Sequence, residues 1–335
     1  MAEFSRLVRR MPEGVNSITF LADLSKKLKL AANGANEADV FSSLIKAVSK
    51  AGLPEGFRFS QDAFEGMAKF AAISRGTGGV GAYLKKLAGF RKATPPVLSD
   101  LAMKNMMENL NTIAEVRRSA NSETWVAQSD DLRRFFAEFT SRKSAVPLDQ
   151  DSKFIGNAWH AKIAAENKGG NLKQLVVRDG CKDGPDGIFD LGGGKFSFME
   201  AKNYNRANAK RVVEQQLNAL TTRRTALARN AGLASVDDVT EVEVHYSRFE
   251  GGIRGSDETV DIAKDFAAYL STNEKTIKAR LTVAQGAPPN ARIVINMYPH
   301  AGTSSFNALM EGDHVLPTRV FIITPSQITY PPGLP

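Results

Sequence analysis

Two acidic residues and a lysine that could perform metal and phosphate chemistry lie within residues 184–202, which read GPDGIFDLGGGKFSFMEAK. They are Asp186, Glu200 and Lys202. Carboxylates are the side chains through which proteins hold Mg²⁺, and the compact ammonium group of a lysine suits negative charge on a phosphate. If the fold brings these three side chains together, they could form a small metal site with an adjacent cation.

A β-hairpin is predicted to position these residues. Residues 188–191 and 195–199 are short runs rich in β-branched and aromatic side chains, and the glycines at 192–194 can adopt the positive φ angles of a tight turn. We expect a loop of three residues. The resulting register pairs Leu191 with Lys195, Ile188 with Phe198, and Asp186 with Glu200.

The predicted register places two like charges directly opposite each other. Asp186 and Glu200 would have Cβ atoms about 5 Å apart, which destabilises a sheet unless a cation lies between them. Glu200 and Lys202 are two residues apart on one strand, so their side chains should lie on the same face, roughly 7 Å apart. A divalent metal ion would fit between the two carboxylates.

The sequence Pro185-Asp186 followed by Glu200-Ala201-Lys202 resembles the motif of the PD-(D/E)XK nuclease superfamily. The resemblance covers roughly residues 151–330. It implies a restriction-endonuclease-like fold and a phosphodiesterase that depends on Mg²⁺ or Mn²⁺. It further implies that Asp186, Glu200 and the backbone carbonyl of Ala201 bind the metal, while Lys202 orients the attacking water or stabilises charge on the phosphate.

Further site residues are expected on a long helix predicted at 207–230. Some members of the superfamily place a glutamine on this helix; Gln215 and Gln216 qualify by position, and Gln216 is the candidate catalytic residue. The apolar stripe of the helix should pack on the sheet and leave its basic side chains in solvent. The basic residues expected to contact nucleic-acid phosphates are Lys210, Arg211, Arg223 and Arg224.

The whole chain is predicted to contain two domains. Residues 1–148 show helical periodicity throughout, with a division into two subdomains near 93–98. Pro147 marks the boundary, and residues 149–335 are expected to form an α/β domain with a central mixed sheet flanked by helices. The elements expected there are helices at 152–167, 207–230 and 260–270, and strands at 172–178, 242–246, 292–298 and 320–323.

A glycine motif at residues 76–81 matches the G-x-G-x-x-G pattern of dinucleotide-binding proteins. The preceding residues, 64–73, have the periodicity of a helix, whereas a dinucleotide site requires a strand before the glycines. We therefore interpret this motif as a connection between two helices. A basic loop that touches a phosphate backbone is the alternative, because Lys85, Lys86, Arg91 and Lys92 follow closely.

The composition excludes several other kinds of site. The single cysteine, Cys181, cannot form an intramolecular disulfide, and the four histidines lack the spacing of zinc ligands. A net charge of +8 suits a polyanionic partner. No segment is apolar enough to cross a membrane and no secretory signal is recognisable, so we expect a cytoplasmic protein, or one that is phage-associated or exported without such a signal.

These patterns favour a metal-dependent endonuclease that acts on DNA. Its helical part would contact a delivery partner or an inhibitor, an architecture similar to that of bacterial toxin effectors and of nucleases from mobile elements and phages. One alternative is a non-catalytic nucleic-acid-binding or interaction protein with a degenerate nuclease fold. The other is an ordinary surface hairpin whose acids are solvated and whose Lys202 pairs with one of them.

Overall fold

The described part of the chain divides into two compact units. The structure, a computed structural model, describes residues 2–29, 37–73, 79–92, 98–116, 132, 134–137, 152–166, 172–175, 185–203, 208–230, 232–247, 262–298, 307, 310–312 and 316–334. The first unit comprises Met1–Lys168 and Thr303–Asp313, and the second comprises Gly169–Gly302 and His314–Pro335. The chain therefore passes between the two units three times.

Helices make up the first unit, as the sequence predicts. Its described helices are α1 (Ala2–Val8), α2 (Ser17–Lys29), α3 (Glu37–Lys50), α4 (Gln61–Ile73), α5 (Gly79–Lys92), α6 (Asp100–Val116) and α7 (Ser152–Glu166). Residues 79–81 of the glycine motif form the first turn of α5, and the described element before the motif is the helix α4, as predicted, and not a strand. Residues 76–78 of the motif lie outside the described part of the chain.

Close packing between α4 and α6 forms the centre of this unit. A Cβ atom on Gly66 would lie only 2.4 Å from the carbonyl oxygen of Met107, so only glycine permits this approach of the two helices. Beside it, the buried Lys69 donates a hydrogen bond to Asn111 Oδ1 over 2.6 Å and forms an ion pair with Glu115. The two helices are thus joined by a paired buried charge as well as by apolar contacts.

Helix α7 belongs to the first unit because its Phe154 side chain packs in the core of that unit. The rings of Phe154 and Phe90 are stacked with centroids 5.4 Å apart. The segment Thr303–Asp313 is held there by polar contacts as well, since Asn105 Nδ2 donates to the carbonyl of Met310 over 2.9 Å. These contacts explain why the compact units differ from the predicted division at 148/149. Pro147 itself lies outside the described residues.

The second unit is built on one mixed sheet of seven strands, which confirms the predicted α/β class with flanking helices. Strand order follows chain order; the β3–β4 and β4–β5 pairs are parallel and the others antiparallel. Its strands are β1 (Leu172–Gln174), β2 (Gly187–Gly192), β3 (Lys195–Asn203), β4 (Val239–Ser247), β5 (Arg292–Met297), β6 (Arg319–Ile323) and β7 (Ile328–Thr329). Its helices are α8 (Ala209–Leu220), α9 (Arg224–Asn230) and α10 (Ile262–Arg280), with short 3-10 turns at Val236–Asp238 and Val283–Gln285.

Several boundaries differ from those predicted. The first strand was expected at 172–178 but ends at Gln174, and residues 176–184 lie outside the described part of the chain. The helix expected at 260–270 continues to Arg280, and β7 was not predicted. None of the described helices has a stretch long and apolar enough to cross a lipid bilayer.

The predicted single helix at 207–230 is wrong, because the chain turns at residues 221–223 and forms two helices. The hydroxyl of Thr221 donates to the carbonyl of Leu217 over 2.7 Å, and the backbone N–H of Arg223 bonds to the carbonyl of Asn218 over 2.8 Å. A threonine that bonds back into the preceding turn competes with the regular helix pattern. The periodicity of apolar residues gave no sign of this interruption.

One face of the sheet packs against α8, α9 and α10. Phe198 on β3 and Val242 and Val244 on β4 are fully buried there, together with Leu217 of α8 and Phe266 of α10. Side chains alternate along a strand, so Glu200 and Lys202 extend from the same face as Phe198. The candidate site therefore lies on the helix-covered face of the sheet.

The packing of α8 gives a direct test of this core. Leu217→Ala removes a fully buried side chain and should lower the free energy of unfolding by about 2–5 kcal/mol. The same substitution at Leu191, which is 47% exposed in the hairpin, is the matched control and should change it by less than about 1 kcal/mol. Urea unfolding of both variants measures the difference; equal losses would contradict the placement of α8.

Candidate functional site

The hairpin that carries the candidate residues has the predicted register over most of its length. Ile188 pairs with Phe198 and Gly187 with Met199, as expected. The turn differs, since Gly192 and not Leu191 lies opposite Lys195. The predicted three-residue loop is therefore wrong, and the loop contains two residues.

The chemistry of the turn explains the shorter loop. Gly193 and Gly194 have φ angles of 59° and 74°, and a two-residue loop with positive φ at both positions matches the right-handed twist of the strands. The carboxylate of Asp190 accepts a hydrogen bond from the backbone N–H of Gly192 over 2.8 Å, which accompanies the shift of register between the two residues. The irregularity is confined to the tip and leaves the site end of the hairpin in register.

Asp186 lies at the site end of the hairpin, one residue before β2 begins. Its Oδ2 atom accepts a hydrogen bond from the backbone N–H of Ala201 over 2.8 Å. The ladder ends at the pairing of Gly187 with Met199, and the next position in the same register would place Asp186 opposite Glu200. The backbone of β3 thus fixes the first carboxylate beside the second.

Glu200 and Lys202 lie on the same face and form an ion pair. Glu200 is only 7% exposed, so it is not a solvated surface acid. The Lys202 side chain is 19% exposed. This burial contradicts the interpretation of the stretch as an ordinary surface hairpin with solvated acids, although Lys202 does pair with an acid as that interpretation expects.

The electrostatic state of Glu200 follows from its burial. Loss of hydration raises the pKa of Glu200 to about 8; the nearby charge of Lys202 lowers it, Asp186 raises it, and Arg223 lowers it. Burial is the largest of these effects, so one ammonium group does not compensate for it. Burial, and not an excess of negative charge, therefore keeps Glu200 protonated, and an additional cation at the site would stabilise its ionised form.

Gln216 and Arg223, from α8 and the turn that follows it, lie in the helical layer that covers the face of the sheet bearing Glu200. Gln216 is 1% exposed, and its Nε2 atom has no hydrogen-bond partner among the described residues. Gln215, the other glutamine that qualified by position, is half-buried. Arg223 influences the pKa of Glu200 and lies at the break between α8 and α9. Arg223 therefore lies in the turn between the two helices, and not on the face of the single helix that the sequence predicted.

The predicted nucleic-acid-binding residues do not form one exposed group. Lys210 and Arg211 are exposed on the first turn of α8, as expected, and Arg223 is half-buried. Arg224 is buried, and its Nη2 atom lies 3.3 Å from Asp237 Oδ1. The expectation that Arg224 is free in solvent is therefore wrong, because this side chain fixes the start of α9 to the following turn.

A second group of polar side chains, which the sequence analysis missed, lies on the opposite face of the sheet. Asn296 Nδ2 donates to Glu243 Oε1 over 2.7 Å, and the same oxygen lies 3.3 Å from His245 Nε2. His245 Nδ1 shares a hydrogen bond of 2.7 Å with the hydroxyl of Tyr298. His245 is thus a buried, hydrogen-bonded histidine of β4.

The charge on Glu243 shows that this second group is electrostatically satisfied. Burial acts to raise the pKa of Glu243, but hydrogen bonds from His245 and Asn296 and the charge of Arg292 outweigh it and lower the pKa. The alternation of acids at 241 and 243 with buried valines is the sequence signal that could have located this group. Burial prevails at Glu200, and it also raises the pKa of the neighbouring Glu241, which pairs with Arg292.

The donor set at the candidate site consists of two carboxylates. Among the described residues, no three or more His, Cys, Asp or Glu side chains come together as a metal-binding group. Asp179 and Asp183, which follow β1 in the sequence, lie outside the described residues. Two carboxylates still match the chemistry of Mg²⁺, which retains several of its own waters when bound to protein.

No family model, curated protein or solved structure matches this chain. Its function is therefore inferred from the site itself.

The raised pKa of Glu200 predicts a specific dependence of stability on pH. The folded state retains the proton up to about pH 8, whereas the unfolded state releases it near the ordinary glutamate pKa of 4.5. The contribution of this group to the free energy of unfolding is therefore full below about pH 4.5 and declines as pH rises to about 8. Glu200→Gln removes the titration. The free energy of unfolding of this variant, relative to that of the wild type, should rise by about 1 kcal/mol or more between about pH 5.5 and about pH 9, since one pKa unit corresponds to about 1.4 kcal/mol.

Urea unfolding at the two pH values measures this change. Glu274→Gln is the matched control, because it alters a partly exposed helix carboxylate that is paired with Lys278. The difference between its free energy of unfolding and that of the wild type should be the same at both pH values. A pH-independent difference for Glu200→Gln would show that Glu200 is ionised throughout.

Proposed function

We propose that this chain is a phosphodiesterase that depends on a divalent metal ion and hydrolyses nucleic acid, with DNA as the substrate. The observation that supports this most strongly is the convergence of Asp186 and the buried Glu200 at one end of the hairpin, with Lys202 on the same face. A buried carboxylate whose pKa is strongly raised is the kind of group that active sites use, and a cation would stabilise its ionised form.

The two acids lie close enough for their charges to interact, and such an ion would bind between them. Asp186 uses Oδ2 to accept the N–H of Ala201, and its Oδ1 atom is not engaged by the described residues. Glu200 faces the same volume, and Ala201 lies between the two acids, where the resemblance expects a backbone ligand. When bound there, Mg²⁺ or Mn²⁺ would supply an activated water and neutralise charge on the phosphate.

Lys202 is proposed as the residue that touches the reacting phosphate. It pairs with Glu200 in this structure, so its ammonium group is already oriented toward the acids. Once Glu200 acts as a ligand, the ammonium can donate to a phosphate oxygen or to the attacking water, because it rotates as a point donor with three N–H groups. Its preorganised position would stabilise the charge that develops in the transition state.

Residues of α8 and the break that follows it are proposed to position the substrate. Gln216 Nε2, buried without a described partner, can donate to a water or a phosphate oxygen at the site. Arg223 can interact with the phosphate as it now does electrostatically with Glu200. Lys210 and Arg211 are exposed and available for the flanking backbone phosphates, so binding should weaken as salt rises.

A non-catalytic role is the second candidate, and one observation favours it. The ion pair between Lys202 and Glu200 partly satisfies the acid without any metal, as expected in a nucleic-acid-binding or interaction protein that retains the fold and not the reaction. Under this candidate, loss of Lys202 leaves Glu200 without its nearest countercharge and destabilises the protein. The two candidates therefore assign opposite consequences to one substitution.

Alanine substitutions of the three residues test the proposed reaction. Asp186→Ala and Glu200→Ala should abolish cleavage of plasmid DNA in Mg²⁺ or Mn²⁺ and remove the stabilisation that these ions give against thermal unfolding. Lys202→Ala should retain that stabilisation but lower the cleavage rate by about 10²-fold or more, the range for loss of one preorganised electrostatic contact.

Lys195→Ala is the control for Lys202→Ala. Lys195 lies on the same strand, is exposed at the hairpin tip and donates to the carbonyl of Asp237 over 3.1 Å, so its loss should leave cleavage unchanged. Linear duplex, single-stranded DNA and RNA, each with EDTA as a blank, define the substrate. Wild-type protein that cleaves none of them, together with a Lys202→Ala variant that melts well below the wild type, would establish the non-catalytic candidate instead.

A further inference from the structure

A basic cavity in the helical unit remains unexplained by the proposed phosphodiesterase. It has a volume of about 640 Å³ and lies between the end of α1, the end of α3 and the loop that follows α3. Arginines contribute four of its lining residues: Arg6, Arg9, Arg10 and Arg58. Its size is in the range of cavities that bind small molecules.

One of these arginines builds the wall of the cavity. The guanidinium group of Arg10 donates to three backbone carbonyls of the loop, those of Pro54, Phe57 (2.9 Å) and Leu53 (3.3 Å). The backbone carbonyl of Arg10 also accepts the N–H of Phe59 over 2.9 Å. The loop is thus tied to the turn that follows α1 through both the side chain and the backbone of Arg10.

The other arginines around the cavity are not held in ion pairs by the described part of the chain. Arg6, Arg9 and Arg58 are exposed, and none of them forms an ion pair with a described residue. Lys92 adds a further charge, because a Cβ atom on Gly52 would lie 3.0 Å from its Nζ atom. Glu55 is the one carboxylate among the described lining residues, so the five cations and one anion described here give this cavity a net charge of about +4.

Like charges gathered around one concave site repel each other, and this repulsion is relieved when an anion of matching charge is bound. A phosphate group carries about −1.5 to −2 at pH 7, so two phosphate groups match the net charge of the cavity. Guanidinium groups are suited to such a ligand because their planar N–H donors form paired bonds with phosphate oxygens.

We propose that this cavity binds a small polyphosphate, a ligand that carries two linked phosphate groups such as those of a nucleoside diphosphate. Its binding is independent of Asp186, Glu200 and Lys202, which belong to the other unit. Two features favour a small ligand over a nucleic-acid strand. The cations surround one cavity instead of following a stripe, and none of its described lining residues is an aromatic side chain that could stack on a base.

Calorimetric titration with inorganic pyrophosphate tests this proposal. The full chain is used at fixed ionic strength with EDTA, so that pyrophosphate cannot act through a metal ion. Pyrophosphate should bind with saturation and about 10-fold or more tightly than orthophosphate, because only the longer ion reaches cations on both sides of the cavity. Arg9→Gln and Arg58→Gln should each weaken pyrophosphate binding by about 10-fold, the effect of losing one charge-assisted hydrogen bond.

Two controls separate this site from general charge effects and from the candidate metal site. Lys26→Gln removes an exposed cation of the same unit that is 3.6 Å from Asp23, and it should leave pyrophosphate binding unchanged. Asp186→Ala should also leave it unchanged. Thermal melts of Arg9→Gln and Arg58→Gln should match the wild type, because both side chains are exposed.

Three results would overturn the proposal. The first is an absence of saturable pyrophosphate binding. The second is equal weakening by Lys26→Gln and Arg9→Gln, which would indicate a diffuse basic surface. The third is binding of a duplex oligonucleotide, but not of pyrophosphate, that is lost in Arg9→Gln and Arg58→Gln, which would assign the cavity to nucleic acid.

Discussion

The burial of Glu200 beside Asp186 is the constraint on which the rest of the second unit depends. Both carboxylates are held by β3, one as part of the strand and the other through the N–H of Ala201. Burial raises the pKa of Glu200 to about 8 even with the ammonium of Lys202 and the charge of Arg223 nearby. A fold that keeps such a group out of water gives up stability at neutral pH, and a bound cation would restore it.

The arrangement of the sheet explains why the loss of stability that comes with a buried acid is confined to Glu200 on the helix-covered face. Phe198 and the valines of β4 form a fully apolar surface under α8 and α10, and the polar residues begin only where β3 extends past Phe198. The break between α8 and α9 then introduces Arg223 at this position. On the opposite face, hydrogen bonds from His245 and Asn296 lower the pKa of the half-buried Glu243, whereas at Glu200 the effect of burial prevails.

The sequence predicted the hairpin of the candidate site from local patterns of residues. It did not predict the break between α8 and α9 or the placement of α7, because both depend on contacts that local patterns do not report. The spacing of β-branched residues around three glycines predicted the register of Ile188 with Phe198, because side chains alternate strictly along a strand. The break at Thr221 depends on a side-chain bond to Leu217, which apolar periodicity does not report. The assignment of α7 to the helical unit depends on Phe154 stacking on Phe90, a contact between residues far apart in the chain.

Calorimetric titration of Mn²⁺ into the wild type and Glu200→Gln, near pH 7 in two buffers of different ionisation enthalpy, tests the central claim most directly. If Glu200 is protonated until a metal displaces the proton, binding should be saturable and release close to one proton, because ligands must be deprotonated to bind. Glu200→Gln should abolish the proton release and weaken or remove the binding. Binding without proton release, or equal release by both proteins, would contradict the assignment of Glu200 as the buried metal ligand.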